Sequence, residues 1–155
     1  SFVVLFVFFF KQKTAYEIWE NTPHHEATKD IAFPTERSSI PRHFDPECLS
    51  CHVTGWHPQD YLPYATGYTQ FEASKHLHGN GCENCHGPGS GHVAAENGDG
   101  DYTEEQRLAL LAGMRLPFAK AQQHCLQCHD LDNDPHFQEE GAFEEYWEQI
   151  KHYDK

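Results

Sequence analysis

The residues able to do chemistry in this sequence fall into three repeats of one spacing. They are Cys48-Leu49-Ser50-Cys51-His52, Cys82-Glu83-Asn84-Cys85-His86 and Cys125-Leu126-Gln127-Cys128-His129, and they account for all 6 cysteines. Two thiols followed at once by an imidazole form the attachment signature of c-type haem. The thiols bond to the two vinyl groups of one porphyrin, and the histidine enters under the iron as proximal ligand. The spacing suits one turn of helix, which puts both sulfurs and the imidazole on the same face.

The rival chemistries fit less well. Paired Cys-x-x-Cys motifs build zinc ribbons, but these do not need histidine directly after each pair, and three pairs leave one without a partner. Histidine occupies 13 of 155 positions, so its following all three pairs by chance is remote. A thioredoxin-like redox pair needs a βαβ context that the pattern lacks. Disulfides suit an exported chain but leave the histidines unexplained.

Three proximal histidines leave ten of the 13 for other work. Haem iron has a sixth position, and methionine there raises the potential. The chain has a single methionine, Met114, so at most one haem can be His/Met. The surplus of histidine favours bis-histidine ligation and low potentials. Any one spare histidine taken alone reads as a surface residue, but ten together do not.

The elements that must carry these motifs read as mostly α with extensive coil. Thr103-Glu104-Glu105-Gln106 has the form of a capping box opening an amphipathic helix through Leu108, Leu111 and Ala112 and stopping near Gly113. Phe143, Tyr146, Trp147 and Ile150 recur at helical spacing within a second helix over 138–152. A short helix around Tyr16–Glu20 is interrupted by Pro23, and residues 31–47, 87–91 and 97–101 read as loop or turn. No alternating strand pattern of useful length is present.

Composition agrees with a core that is not made of side chains alone. The hydrophobic share is 38%, part of it in the run SFVVLFVFFF at residues 1–10, which leaves few apolar residues downstream. Porphyrins would supply the missing apolar mass. The formal net charge of -13 argues against nucleic-acid binding and suits docking to basic partners. Residues 1–10 are too few to span a bilayer. Residues 1–13 read as a signal remnant or as an artefact, because Phe8 to Ile18 resembles translated adapter sequence; residues 14–155 are expected to form one multihaem domain.

Four stretches resemble a known family: YEIWENTPHHEA (16–27), DPECLSCHVTGW (45–56), GCENCHGPGSGHV (81–93) and CLQCHDLDNDPHF…YWEQIKH (125–152). The chain is similar to the tetrahaem cytochrome c family of the type that accepts electrons from hydroxylamine oxidation in nitrifying bacteria. The resemblance implies a core of packed c-type haems. In that family a haem motif commonly precedes the Tyr-x-x-Trp segment, which implies a fourth, N-terminal haem in the full-length protein. It also nominates His24, His92 and His152 as distal iron ligands, without saying which haem each one caps.

The expected cofactor is haem c, three covalent at Cys48/Cys51/His52, Cys82/Cys85/His86 and Cys125/Cys128/His129, with a fourth in the full-length protein. The expected function is electron transfer in the periplasm, because c-type haem is attached outside the cytoplasm. The expected partners are periplasmic redox proteins, with a quinol-linked or a hydroxylamine/nitrite-type oxidoreductase as the classes implied. Membrane anchoring of the parent protein is left open. The alternative function is a haem enzyme acting on nitrite, nitric oxide or hydroxylamine at a five-coordinate haem.

Overall fold

Proline decides where the early helices begin. The structure, a computed structural model, describes residues 15–36, 38–56 and 67–152. Residues 15–20 are helical and are labelled α1. Helix α2 spans Pro23–Ala32, with Pro23 in its first turn and Thr22 as an extended N-cap. A proline's fixed φ is ready-made for that position, where its missing N–H forfeits nothing. Pro23 therefore does more than interrupt a helix, as the sequence suggested: it separates α1 from a longer helix that it opens. Helix α3, Pro46–His52, repeats the device, and Asp45 caps it by accepting the Glu47 N–H at 3.0 Å. Both helices cut into the 31–47 stretch expected to be loop.

The second cysteine motif forms its own helix, α4 (Cys82–His86), closed by Gly87 at φ +76°. Only Gly87–Gly89 of the expected 87–91 turn are loop, because α5 (Ser90–Asn97) starts inside that stretch and ends on left-handed Gly98. The capping box is real: Thr103 accepts the Gln106 N–H at 3.2 Å and Gln106 accepts the Thr103 N–H at 2.8 Å. It opens α6, Glu104–Gly113. The expected face turns inward only in part, since Leu111 is half-buried but Leu108 is 48% exposed, and the adjoining Leu110 lines a cavity.

Helix α7 spans Phe118–Cys125, and α8 spans Ala142–Ile150. The sequence pattern placed the start of α8 near residue 138; a 3-10 turn at Pro135–Gln138 and Gly141 at φ +85° delay it. A second 3-10 turn lies at Lys75–Leu77. Among the described residues there is no strand, only an isolated antiparallel bridge between Val53 and His78.

The side-chain core is two separate patches. Ile31, Leu49, Val53, Trp56 and Tyr68 form one, where α2 packs on α3. Ala121, Phe137 and Phe143 form the other, flanked by Leu116, Tyr146 and Trp147. Neither approaches the size of an ordinary core for this length. The boundary expected at residue 14 and the fate of residues 1–13 lie outside the described residues.

Candidate haem centres

Helices α3 and α4 each present a whole Cys-x-x-Cys-His motif on a single turn. In the third motif α7 ends at Cys125, and Cys128 and His129 follow in a turn. The His129 N–H still bonds to the Cys125 carbonyl at 2.9 Å, so the one-turn relation survives. None of the six cysteines is in a disulfide.

Sulfurs from different motifs come together. Cys51 and Cys128 share a hydrogen bond, which pulls the Cys51 thiol down to about 6 against the opposing effect of burial and raises that of Cys128. Burial pushes the Cys85 thiol up to about 11, helped by neighbouring Cys125 and Cys82. The attachment points therefore sit side by side around shared space instead of each within its own core.

The ring nitrogens of the motif histidines are already assigned. His52 Nδ1 lies 2.6 Å from the Ala27 carbonyl oxygen, and His86 Nδ1 bonds to the Met114 carbonyl oxygen. A carbonyl oxygen only accepts, so Nδ1 carries the proton in both rings and Nε2 keeps its lone pair for a metal. His129 Nδ1 donates to Asp134 Oδ2 at 2.7 Å. This is the second shell that metal-ligating histidines characteristically have.

Two of the nominated distal histidines face proximal ones. His24, in the first turn of α2, opposes His129 with ring centroids 5.9 Å apart and planes at 75°. His152, just past α8, opposes His86 at 5.5 Å and 64°. An iron bound by two imidazole nitrogens at roughly 2 Å each would set ring centroids roughly 6 Å apart, so both gaps fit an axial pair. His152 Nδ1 donates to the Ile150 carbonyl at 3.0 Å, which again leaves Nε2 for metal. Burial lowers the pKa of His24, with nearby His129 adding to the effect; burial also lowers that of His86, and both stay neutral as ligands must.

The third nominee, His92, belongs to neither pair. Its Nδ1 lies 3.9 Å from Glu96, and it lines a cavity of about 690 Å³ with His86, Tyr102, Leu110 and Met114. Arg107 holds Glu96 at 2.7 Å and Glu104 at 2.8 Å, which fastens α5 to α6 around that cavity. Met114 contributes its carbonyl to His86, while its side chain lies over Gly89.

Other histidines are spent elsewhere. His78 gives Nε2 to the Phe71 carbonyl at 2.9 Å, and His124 gives Nε2 to the Asn84 carbonyl at 2.6 Å. His25 packs on Trp19 at 4.6 Å, and His136 pairs with Glu139 at the surface. Among the described residues no three His, Cys, Asp or Glu side chains converge as a zinc cage would require.

A buried polar knot holds the first motif to α2. Thr28 Oγ1 donates to the His52 carbonyl and accepts the Gly79 N–H, both at 2.6 Å. Thr54 Oγ1 donates to the Gly79 carbonyl at 2.9 Å and accepts the Gly81 N–H at 2.8 Å. Asn80 donates its N–H to the His24 carbonyl at 2.8 Å and accepts the Trp19 Nε1–H at 2.6 Å. Gly79, at φ +78°, passes so close to α2 that a Cβ there would meet the His25 carbonyl oxygen at 2.5 Å.

Sequence reasoning missed Asp134, Ala27, Met114 and Thr28. A backbone carbonyl leaves no trace in a sequence, so Ala27 and Met114 were out of reach. Asp134 did offer a signal: an Asp-Pro pair five residues after His129, where a turn brings the carboxylate back to the ring.

Comparisons with known proteins point to c-type cytochromes. The family model described as cytochrome c554 and c-prime matches residues 12–87, which hold the first two motifs. Cytochrome c-554 of Nitrosomonas europaea is 26% identical over 135 residues, covering 76% of this chain and 52% of that protein. The chain thus spans about half the length of the curated relative it matches. No solved structure matches. With two Cys-x-x-Cys-His motifs inside the matched segment, the chain is similar to the haem-carrying c-type cytochromes of the cytochrome c554 and c-prime family.

Proposed function

We propose that this chain carries three covalent haems, on Cys48/Cys51/His52, Cys82/Cys85/His86 and Cys125/Cys128/His129, and passes electrons among them. The observation that carries the reading is the opposition of His24 to His129 and of His152 to His86. Iron closed on both faces by imidazole has no position for a substrate, and exchanges electrons only. The bound haem supplies the redox chemistry. The chain supplies anchoring thiols, axial imidazoles and the hydrogen bonds that fix their tautomers.

The site of action is extracytoplasmic, where c-type haem is attached, and the periplasm is the natural compartment. Among the described residues no helix is long and apolar enough to cross a membrane. The net charge of -13 favours basic redox proteins as partners, quinol-linked or hydroxylamine/nitrite-type oxidoreductases among them. The fourth haem implied by the resemblance concerns sequence outside the described residues.

The test is expression behind an export signal with a c-type maturation system, followed by pyridine haemochrome quantification. About three covalent haems per chain is the expected result; zinc in place of haem, or haem bound without thioether links, refutes the reading.

One observation favours a second activity. Among the described residues no histidine ring faces His52, whose Nδ1 is tied to Ala27. A haem there would be the one open to small nitrogen species such as nitrite, nitric oxide or hydroxylamine. Titration of the reduced protein with nitric oxide checks it: binding at one haem in three supports ligand chemistry, and none leaves pure electron transfer.

A further inference from the structure

The three motif histidines differ in what holds them from behind. His52 and His86 donate to backbone carbonyls, of Ala27 and Met114, whereas His129 donates to the Asp134 carboxylate at 2.7 Å. The carboxylate also takes a hydrogen bond from Tyr146 on α8. The His129 ring is sleeved by aromatic surface: Phe137 stacks on it at 5.0 Å and 25°, and Tyr146 lies at 5.4 Å.

We infer that Asp134 makes the haem on His129 the most reducing of the three, with Tyr146 moderating the effect. An ionised acceptor on Nδ1–H makes the imidazole more electron-donating than a neutral carbonyl does. A stronger donor stabilises ferric over ferrous iron and lowers the potential. Tyr146 draws part of the carboxylate's charge to its own hydroxyl and weakens the pull on His129. The inference rests on the haem assignment proposed above. Its consequence is a direction: an electron on the His129 haem leaves that iron ferric and reduces a ferric neighbour, with no proton transferred. The third motif and α8 are then the upstream end of the relay. Asp134 acts through His129 and is a positioning residue, not a catalytic one.

The test is a spectroelectrochemical titration of the matured, haem-loaded full chain. His24→Ala marks which wave belongs to His129, because that haem loses its opposing ligand. Asp134→Asn keeps an acceptor oxygen but removes the charge; it should raise that wave alone, by about tenfold in the reduction equilibrium, or about 59 mV for one electron. Tyr146→Phe should move the same wave the other way, by less. Opposite displacements from two neighbouring substitutions are not what structural damage produces. Asp134→Asn leaving the wave in place, or shifting all three equally, overturns the inference. Should Asp134→Asn fail to mature, an unmoved or raised wave in Tyr146→Phe overturns it instead. Fewer than three haems in the unsubstituted chain overturns the haem assignment, and this inference with it. Three haems with an unmoved wave overturn this inference alone.

Discussion

Replacing His24 with alanine should convert one iron in three from low to high spin. His24 sits in the first turn of α2, largely buried, with its ring 5.9 Å from that of His129. Alanine is a good helix former and leaves α2 intact, so the change removes a ligand and little else. With the three haems proposed above, only the one on His129 would lose its opposing imidazole. The high-spin signal in the ferric electron paramagnetic resonance spectrum should therefore grow by one third of total haem over the unsubstituted protein, whatever the His52 haem contributes to that baseline. His24→Met should restore six-coordination and raise the potential of the same haem. The neighbouring His25→Ala is the control: its ring packs on Trp19 at 4.6 Å and its Nδ1 meets Glu26 at 3.1 Å. No gain of high-spin iron in His24→Ala, or an equal gain in His25→Ala, refutes the axial pairing.

Three further outcomes follow from the same geometry. His152→Ala should add a second third of high-spin haem, additive with His24→Ala because the two pairs use different motifs; a combined variant read by the same spectrum checks the sum. Thr28→Val keeps the shape but strands the His52 carbonyl and the Gly79 N–H, each costing about 1–3 kcal/mol; denaturant unfolding of the haem-loaded chain should show the loss, and Thr28→Ser should recover most of it. Gly79→Ala puts a Cβ against the His24 and His25 carbonyls at 2.9 and 2.5 Å and must push α2 aside; its melting temperature and its low-spin fraction should fall together, since α2 carries His24.

How far the sequence spoke for itself varies by kind of feature. The motifs, the α6 capping box and the apolar stripe of α8 are local patterns, and each stands where its residues put it. His24 and His152 were nominated by resemblance, and the structure brings each opposite a motif histidine, while His92, nominated on the same ground, lies beside Glu96 instead. Helices α5 and α7 were missed because their apolar content is mostly alanine, too weak to set a period. Pro23 was misread because one residue both ends and begins helices, and only its neighbours in space decide which. The acceptors behind His52 and His86 are backbone carbonyls from segments remote in sequence, which no spacing rule reaches, whereas Asp134 behind His129 lies five residues on.

Helix α2 also has a bearing on how the molecule is assembled. His24 lies upstream of the three motifs at 48–52, 82–86 and 125–129, and the histidine it faces belongs to the third of these. A chain that appears amino-terminus first would present His24 about a hundred residues before its partner. Closing so long a loop is entropically slow, and until it happens the His129 ring has no imidazole opposite it. The same helix supplies the Ala27 carbonyl to His52, so the piece that closes on the third motif also docks on the motif at 48–52. A polypeptide cut short before Cys125 would leave His24 without the ring it opposes.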